Sequence, residues 1–477
     1  MATFAKHDLP KKSENLSDWY NKIVLMAELA DYGPAKGTMI YRPYGYAIWE
    51  LIQQEMDARI KARGVANAYF PLFIPESLLR KEQAHVEGFS PELAVVTIGG
   101  GEPLAEKLVV RPTSETIMYE AYARWIHSWR DLPVMINQWN NVVRWEKRTY
   151  LFLRTTEFLW QEGHTAHASH EEAWEMVRWA MGMYEEVYRD LFAMPGYVGR
   201  KSDAEKFAGA DTTLTFETLM PEGKALQSCT SHDLGQNFAK SFDISFTNKQ
   251  GQSEHVWQTS WGLSTRSIGG LIMMHGDDAG LVLPPRLAPI QVVILPVRND
   301  DAVLAACEAR AVQLRNAGVR VHVDRVDDER IGFKINKWEL RGVPLRMELG
   351  AKELADERVT VARRDTGEKS VLPWRGLEQH VADMLTSIQT HLYDRAAVFL
   401  REHTVEVDSY DRFKEVLADK RGFIRAGWCE RAECEQRIKE ETKATTRCLP
   451  LDAEERRGTC VYCGESAAHT WLFGQAY

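Results

Sequence analysis

Residues 141–167 read NVVRWEKRTYLFLRTTEFLWQEGHTAH, a stretch in which charged and aromatic side chains follow one another at close intervals. Successive side chains of a strand point to opposite faces, so Val142, Arg144 and Glu146 are predicted to share one face. We expect a loop to follow and a second strand, from about residue 156 to 164, to return beside the first as an antiparallel hairpin. Burying unpaired charge costs roughly several kcal/mol. The charged face therefore either pairs Arg144 with Glu146 or binds a polar ligand.

The composition is typical of a globular protein with several domains. The chain has 477 residues, of which 44% are hydrophobic and 27% are charged, and at about 150 residues per domain this length predicts two to four domains. No apolar run approaches the roughly 20 residues that a membrane-spanning helix needs, and the N-terminus lacks the apolar segment of a signal peptide. We therefore expect a cytoplasmic protein with no membrane partner. The net charge of −9 argues only mildly against a nucleic-acid partner, because basic side chains can gather on one face.

Changes of pattern divide the chain into three parts. Helical and strand patterns alternate through residues 1–288, with long antiparallel ribbons, and a proline-rich junction at 281–297 ends this part. Residues 289–396 alternate strand and helix, which predicts an α/β domain over a mainly parallel sheet. Residues 397–477 form a charged tail that carries five of the seven cysteines. Apolar spacing predicts helices over 18–30, 45–63, 171–192, 301–317 and around 331–341, and strands over 290–295, 320–324 and 345–349.

Four cysteines of the tail have the spacing of a metal site. Cys429 and Cys434 are separated by four residues and Cys460 and Cys463 by two, with 25 residues between the pairs. Two such pairs can converge on Zn²⁺ as a closed site of four thiolates at about 2.3 Å, which leaves no open position for a substrate. We therefore predict a structural zinc site, with a reduced, metal-free cluster as the alternative. Cys448 lies between the pairs and is not assigned as a ligand.

Segments spread over the chain resemble a known family. They are AYFPLFIPESLLRKE (68–82), RPTSET (111–116), the stretch 142–167, ALQSCTSHDLGQNF (225–238) and SWGLSTRSIG (260–269). They resemble the prolyl-tRNA synthetases, a family of class II aminoacyl-tRNA synthetases, and the resemblance extends through the α/β domain and the cysteine tail. It implies an α/β and α+β multidomain protein: a class II catalytic domain on an antiparallel sheet, an anticodon-binding α/β domain and a small zinc-type α+β C-terminal domain. The form implied is that of archaea, eukaryotes and some bacteria, because a zinc-type domain follows the anticodon domain. The roughly 100 residues from His164 to Gly262 also leave no room for the editing domain that typical bacterial members insert there.

The resemblance also implies a reaction. The family makes prolyl-adenylate from L-proline and ATP, with Mg²⁺, releases pyrophosphate and passes proline to tRNA(Pro). The proline carboxylate is the nucleophile, so catalysis rests on positioning and on neutralising phosphate charge. Arg144 matches the arginine that contacts the α-phosphate and the proline carboxylate, and Arg266 matches the one that holds the γ-phosphate. The further ATP-binding residues implied are Glu146, beside the adenine, and Arg154, Thr155, Gln227, Thr230 and Ser264.

The resemblance assigns a second group of residues to proline. Thr113 and Glu115 match the pair that fixes the imino group, with Arg144 and His232 nearby. A secondary ammonium carries two N–H donors, so a carboxylate beside it is a suitable acceptor. On the residues alone, Thr113 or Ser114 could instead cap the helix that follows, and the two roles are compatible.

In the α/β domain, Glu339, Arg346 and Lys352 match the family's anticodon contacts. Prolyl anticodons share two guanines, whose acceptors and Watson–Crick-edge donors suit arginine, lysine and a carboxylate. Without the resemblance, a solvated charged face is the default interpretation of these residues. Members of the family are usually homodimers, and we expect the interface around Pro71 and Pro75.

Two other functions stay open on the sequence alone. One is an enzyme that hands its adenylate to another acceptor, and the other is a zinc-stabilised RNA-binding scaffold with an inactive catalytic site. Intact Arg144, Glu146 and Arg266 argue against the scaffold, and the anticodon-like domain argues against another acceptor. Relatives end in a similar tyrosine, so Tyr477 is expected to help organise the active site.

Overall fold

The computed structural model describes residues 8–81, 93–298, 300–454 and 458–477. The first part of the chain is mixed in its secondary structure. Its helices are α1 (Leu16–Met26), α2 (Pro43–Ala62), α3 (Glu76–Leu79), α4 (Glu115–Trp125), α5 (His170–Asp190), α6 (Asn237–Ser241) and α7 (Arg266–His275). Its strands are β1 (Ala30–Tyr32), β2 (Met39–Tyr41), β3 (Ala66–Asn67), β4 (Phe73–Pro75), β5 (Ala94–Gly99), β6 (Glu102–Val110), β7 (Val134–Val143), β8 (Glu157–His167), β9 (Tyr197–Arg200), β10 (Thr212–Leu219), β11 (Ala225–Gly235), β12 (Ser245–Thr247), β13 (Ser253–His255) and β14 (Trp257–Ser264).

One large sheet organises this part. Seven strands follow the order β3-β7-β8-β14-β11-β10-β9. From β7 onwards every neighbouring pair is antiparallel, whereas the short β3 pairs with β7 in parallel. The predicted antiparallel sheet and its hairpin, β7–β8, are confirmed.

The hairpin differs from the prediction where its first strand ends. β7 ends at Val143, so Arg144 and Glu146 lie in the segment that connects the strands. The Arg144 N–H donates to the Thr156 carbonyl at 2.8 Å, which extends the pairing by one residue. Arg154 Nε donates to the Glu146 carboxylate at 2.6 Å. Glu146 is therefore held by the far end of the loop.

Helix α5 closes one face of the sheet. The Ser169 hydroxyl accepts from the Glu172 N–H at its first turn, as an N-cap residue does. Its buried residues recur every three or four positions and pack in one core cluster with Trp261 and Leu263 of β14. The helix predicted over 171–192 is confirmed to within two residues at each end. With this face covered, the opposite face of the sheet is left for a site.

The middle part of the chain is a separate α/β unit. Its elements are β15 (Val292–Pro296), α8 (Asp301–Asn316), β16 (Val321–Val323), α9 (Ile331–Leu340), β17 (Leu345–Leu349), α10 (Ala351–Ala355), β18 (Arg358–Arg363), β19 (Lys369–Pro373) and α11 (Leu377–Glu402). The sheet order is β16-β15-β17-β18-β19. The first three strands are parallel, as predicted, and β18 and β19 add an antiparallel edge that was not predicted. Helix α11 runs through the expected domain boundary at 396/397, so the last two parts of the chain share it.

The last part of the chain extends the large sheet. Its elements are β20 (Thr404–Glu406), α12 (Tyr410–Asp419), β21 (Phe423–Trp428), α13 (Ala432–Thr442), β22 (Ala444–Pro450), β23 (Gly458–Thr459), β24 (Ser466–Ala467) and β25 (His469–Gln475). Strand β22 pairs with β9, which continues the order as β9-β22-β25-β21-β20 and gives eleven strands. A Cβ on Gly199 would lie 2.5 Å from the Leu449 carbonyl and 2.6 Å from the Cys448 sulfur, so this junction requires glycine. In the described ranges, none of the helices combines the length and apolar character needed to cross a membrane.

Candidate active site

A cavity of about 200 Å³ opens on the sheet face opposite α5. Alternate residues of β8 point into it, since a strand presents every second side chain to the same face. The residues that line it are Thr113, Glu115, Arg144, Phe158, Trp160, Glu162, His164, Glu205, Phe207, Thr213, Gln227, Ser228, Cys229, Thr230, His232, Ser260, Trp261, Gly262, Ser264 and Arg266. The structure thus brings together most of the predicted ATP- and proline-binding residues.

Arg144 stands between the two predicted subsites. Its Nε donates to the Pro112 carbonyl at 3.0 Å. The guanidinium carbon lies 5.5 Å from the ring centroids of both Phe158 and Trp160, a cation–π distance. The backbone and the two rings therefore fix the orientation of this cation in the cavity.

Arg266 adds a second cation at the first residue of α7. Its Nε donates to the Leu153 carbonyl at 3.0 Å, and its N–H donates to the Ser264 hydroxyl at 3.3 Å. Burial lowers the pKa of the Arg266 guanidinium, and the nearby charges of Arg144 and Arg154 lower it further. Several cations therefore converge here, at a helix N-terminus that itself favours anions.

The remaining predicted ATP-binding residues divide into two groups. Gln227, Thr230 and Ser264 line the cavity. Arg154 lines an adjacent cavity, and the Thr155 hydroxyl donates to the Glu157 carbonyl at 2.7 Å. The structure therefore does not place Thr155, or Glu146, in the lining of the catalytic cavity.

The predicted proline end of the cavity combines a carboxylate with aromatic rings. The Thr113 hydroxyl donates to the Glu115 carboxylate, and both side chains are buried. The His232 ring hydrogen-bonds to the hydroxyls of Thr213 at 2.9 Å and Thr230 at 3.0 Å. Burial lowers the pKa of His232 to about 4, so this imidazole is neutral at pH 7 and does not compete as a cation for the carboxylate.

Glu162 is a residue of this cavity to which the sequence assigned no role. Its carboxylate accepts from the Ser114 N–H and hydroxyl, from Gln138 Nε2 at 3.0 Å, from Asn140 Nδ2 at 2.7 Å and from His164 Nε2 at 2.9 Å. Ser114 occupies the N-cap position of α4 without a side-chain capping bond. Its hydroxyl serves Glu162 instead, so the capping alternative is wrong for this residue.

His164 lies on the same face of β8 as Glu162. One of its ring nitrogens contacts Glu162 and the other contacts the Tyr119 hydroxyl of α4. Burial lowers the pKa of His164, but the hydrogen bond that its ring donates to Glu162 and the charge of Glu115 outweigh burial, and the pKa is raised. The signal that could have found both residues is their period-two spacing after Trp160.

The comparisons with known proteins agree along the whole chain. The family model "tRNA synthetase class II core domain (G, H, P, S and T)" matches residues 98–275, "Anticodon binding domain" matches 291–384 and "Prolyl-tRNA synthetase, C-terminal" matches 410–477. The proline--tRNA ligase of Chlorobium limicola is 53% identical over 98% of this chain and 99% of its own. That of Rubrobacter xylanophilus is 50% identical over 100% of both chains. This chain belongs to the prolyl-tRNA synthetase family.

A solved structure of the same family supports the fold. The prolyl-tRNA synthetase of Cryptosporidium parvum, in complex with halofuginone and AMPPNP, superposes with a TM-score of 0.94 at 42% identity. The match covers 98% of this chain and 96% of the other. The class II core, the anticodon-binding domain and the C-terminal domain predicted from the sequence are therefore confirmed.

The family's C-terminal domain carries the four clustered cysteines here. The sulfurs of Cys429, Cys434, Cys460 and Cys463 all lie within 4.8 Å of one another, with Cys429 at 3.6 Å from Cys434 and 3.8 Å from Cys463. Four sulfurs at about 2.3 Å from a tetrahedral ion are about 3.8 Å apart. The donor set and its spacing therefore fit Zn²⁺. Cys448 is buried elsewhere, against Gly199.

The predicted anticodon residues of this family member are only partly brought together. Glu339 and Arg346 line a small cavity of about 80 Å³. Arg346 Nε donates to Glu348 at 3.0 Å. Lys352 is exposed on α10 and does not line that cavity.

Proposed function

We propose that this chain joins L-proline to the 3′ end of tRNA(Pro) in two steps, activation by ATP and transfer of proline from the adenylate. The observation that carries the proposal is the shared cavity of Arg144, Arg266 and Glu115. It sets two cations for phosphate against a buried carboxylate for the imino group. The domains of the proposal are catalytic, 1–288, anticodon-binding, 289–396, and zinc-binding, 397–477, with α11 continuous across the last boundary.

In the first step, a proline carboxylate oxygen forms a bond to the α-phosphorus of ATP, and the bond from that phosphorus to the bridging oxygen breaks. Because the carboxylate is already charged, no protein base is needed, and the residues act by orientation and charge. Arg144 contacts the α-phosphate and the carboxylate, and Arg266 holds the distal phosphates. Mg²⁺ accompanies the nucleotide and neutralises part of its charge. Glu146, Arg154, Thr155, Gln227, Thr230 and Ser264 bind the rest of the nucleotide.

Selection of proline rests on the other end of the cavity. Glu115 and Thr113 accept the two N–H groups of the imino nitrogen. The neutral His232 and the aromatic side chains of the cavity, Phe158, Trp160 and Phe207, enclose the apolar ring carbons of proline. Each methylene of the substrate contributes only about 1–3 kcal/mol to discrimination in an apolar pocket. A smaller amino acid that keeps its amino group is therefore excluded only weakly.

For tRNA, Glu339, Arg346 and Lys352 read the shared guanines of the anticodon. Glu339 and Arg346 support this by lining one small cavity, and Lys352 supports it by its exposure. Charging of tRNA serves translation, so the proposed location is the cytoplasm.

The proposal includes a structural metal site and a homodimer interface. The four thiolates hold a structural Zn²⁺ that ties the ends of β21 and β23 together. Exposed apolar side chains surround Pro71 and Pro75, among them Tyr69 at 70% exposure and Phe73 at 46%. Such a patch suits the homodimer interface expected there.

The test is amino-acid-dependent ATP–pyrophosphate exchange with the wild type and Arg144→Ala, first without tRNA and then with tRNA added to follow charging. Exchange with proline that the substitution abolishes supports the proposal. Exchange without charging of tRNA(Pro) would favour another acceptor. A folded, zinc-loaded protein with no exchange for any amino acid would leave the RNA-binding scaffold.

A further inference from the structure

The loop between β9 and β10 forms part of the wall of the catalytic cavity. We call residues 201–211 the β9–β10 loop. Two of its side chains, Glu205 and Phe207, line the cavity. The Phe207 ring lies 4.5 Å from the His232 ring, centroid to centroid, and the Phe207 N–H donates to the Thr213 hydroxyl at 3.0 Å. The position of the loop therefore sets the shape of the end of the cavity assigned to proline.

The loop turns at Ser202, and this residue is held by another domain. The Ser202 carbonyl accepts from the Glu205 N–H at 3.2 Å and from the Lys206 N–H at 2.9 Å. The Ser202 side chain is buried, and its hydroxyl donates to the Glu435 carboxylate at 2.7 Å. Glu435 lies in the C-terminal domain, 233 positions further along the chain.

Glu435 is a buried carboxylate in the first turn of α13, with 6% of the residue exposed. The Thr446 hydroxyl of β22 donates to the same oxygen, Oε1, and lies 3.0 Å from the Ser202 hydroxyl. A buried carboxylate is costly unless it is hydrogen-bonded, and a hydrogen bond to a charged group is roughly twice as strong as a neutral one. The three side chains therefore form a fixed contact across the domain boundary.

Lys439 adds a weaker contact from the same face of α13, since residues four apart on a helix are neighbours. Its Nζ lies 3.3 Å from the Glu205 carboxylate, and its side chain is 59% exposed. Exposed ion pairs contribute little, because solvent screens them. The buried contact of Glu435 is therefore the stronger hold on the loop.

We propose that Glu435 is a positioning residue for proline: it holds the β9–β10 loop, through Ser202, in the position that encloses the proline ring. The inference rests on the proposed function. Glu435 does not line the cavity, so it acts through the loop and not on the substrate. Without this contact the loop gains conformational freedom, and ordering it again on binding weakens the affinity for proline. The arginines assigned to the phosphates lie outside the loop, so ATP binding is spared.

The experiment is proline-dependent ATP–pyrophosphate exchange by the full-length, zinc-loaded protein, with proline and, separately, ATP varied. Glu435→Ala removes one charge-assisted hydrogen bond to the loop and is expected to raise the KM for proline about tenfold, with the KM for ATP unchanged. Glu435→Gln keeps the Oε1 acceptor that both hydroxyls use, so its KM for proline is expected to stay within about threefold of the wild-type value. Lys439→Met is expected to change it by less than about fivefold.

Glu433→Ala is the matched control, because Glu433 is exposed in the same turn of α13 and flanks Cys434 as Glu435 does. Its KM values are expected to match those of the wild type. Elemental analysis of zinc in every variant separates an effect on the metal site from an effect on the loop. Amide hydrogen exchange of the β9–β10 loop, measured without substrates, is expected to be faster in Glu435→Ala and unchanged in Glu433→Ala.

Ser202→Ala removes the other partner of the contact from the side of the catalytic domain. It is expected to raise the KM for proline as much as Glu435→Ala does, and the double variant should show no further rise, because both changes remove one interaction. A rise of about a hundredfold in the double variant, as for independent sites, would contradict the shared contact. If Glu435→Ala fails to fold or loses zinc, Ser202→Ala decides.

The outcomes separate the inference from the proposed function. A wild type without proline-dependent exchange contradicts the proposed function, and hydrogen exchange then still tests the hold of Glu435 on the loop. A wild type that exchanges, with the KM for proline unchanged in Ser202→Ala or in zinc-loaded Glu435→Ala, overturns the inference. Equal rises in the KM values for proline and ATP also overturn it, because they indicate general distortion.

Discussion

Glu162→Gln tests whether the buried carboxylate under the active site positions the proline-binding residues. Glu162 accepts hydrogen bonds from four residues, and one of them, Ser114, lies between Thr113 and Glu115. The substitution keeps the shape of the side chain and removes its charge. Its effect on proline binding therefore reports on positioning rather than on the loss of volume.

The size of the effect follows from the hydrogen-bond geometry. A glutamine amide keeps one acceptor oxygen, which can serve the donors now on Oε1. The NH₂ group of the glutamine then faces the Ser114 N–H and His164 Nε2, both of which donate to Oε2 of Glu162 in the wild type. The Ser114 N–H loses its acceptor, whereas neutral His164 can accept from the amide through Nε2, so the free energy of unfolding is predicted to fall by about 1–3 kcal/mol. A shift of about 1 Å in Thr113 and Glu115 costs about a hundredfold in rate.

The assay is proline-dependent ATP–pyrophosphate exchange, with thermal unfolding measured on the same preparations. We expect kcat/KM for proline to fall about a hundredfold while the KM for ATP stays near the wild-type value. Glu157→Gln is the control, because Glu157 lies on the same strand, accepts from Asn141 at 2.7 Å and does not line the cavity. If Glu162→Gln matched Glu157→Gln in both kcat/KM for proline and the melting temperature, the positioning role would be refuted.

Three further predictions concern the metal, the pH and the interdomain junction. Elemental analysis is expected to find one Zn²⁺ per chain in the wild type and in Cys448→Ser, and none in Cys460→Ser. Burial lowers the pKa of His275 to about 3, so the unfolded chain binds a proton that the folded chain does not between about pH 6.5 and pH 3, and stability falls with falling pH by about 1.4 kcal/mol per unit. His275→Gln should remove one proton from that slope in denaturant titrations at several pH values, and an unchanged slope would contradict it. Gly199→Ala should lower the melting temperature by overlap with β22, whereas Gly182→Ala, where a Cβ meets nothing within 4 Å, is expected to be neutral or stabilising.

Local patterns explain what the sequence could predict. Strand β8 was placed because its alternation is short-range, and β17 was predicted with the bounds that it has. Helix α5 was predicted to within two residues because its apolar period extends over six turns. The cavity residues Arg144, Glu115 and Arg266 were found because each lies in a motif that resembles one family.

What the sequence could not predict depends on partners that are distant along the chain. Period-two spacing places Glu162 on the cavity face, but its donors lie at the N-cap of α4 and on β7, and no local spacing predicts that network. The contact between Arg447 and Glu217 joins residues 230 positions apart. The hydrogen bond that the Thr155 hydroxyl donates to the Glu157 carbonyl is likewise a contact that the matched motif does not reveal.

The C-terminal domain is held at two places, and their loss is expected to have different consequences for stability. The four clustered cysteines lie where β21 ends and beside the β23–β24 hairpin, so a zinc ion bound by them would hold the outer end of this domain together. The inner attachment is the pairing of β22 with β9, which sets Arg447 against Glu217 of the catalytic sheet. Loss of zinc is therefore expected to reduce the stability of the tail first. Distortion at Gly199 is expected instead to weaken the attachment of the C-terminal domain to the catalytic sheet, because it displaces β22 from β9.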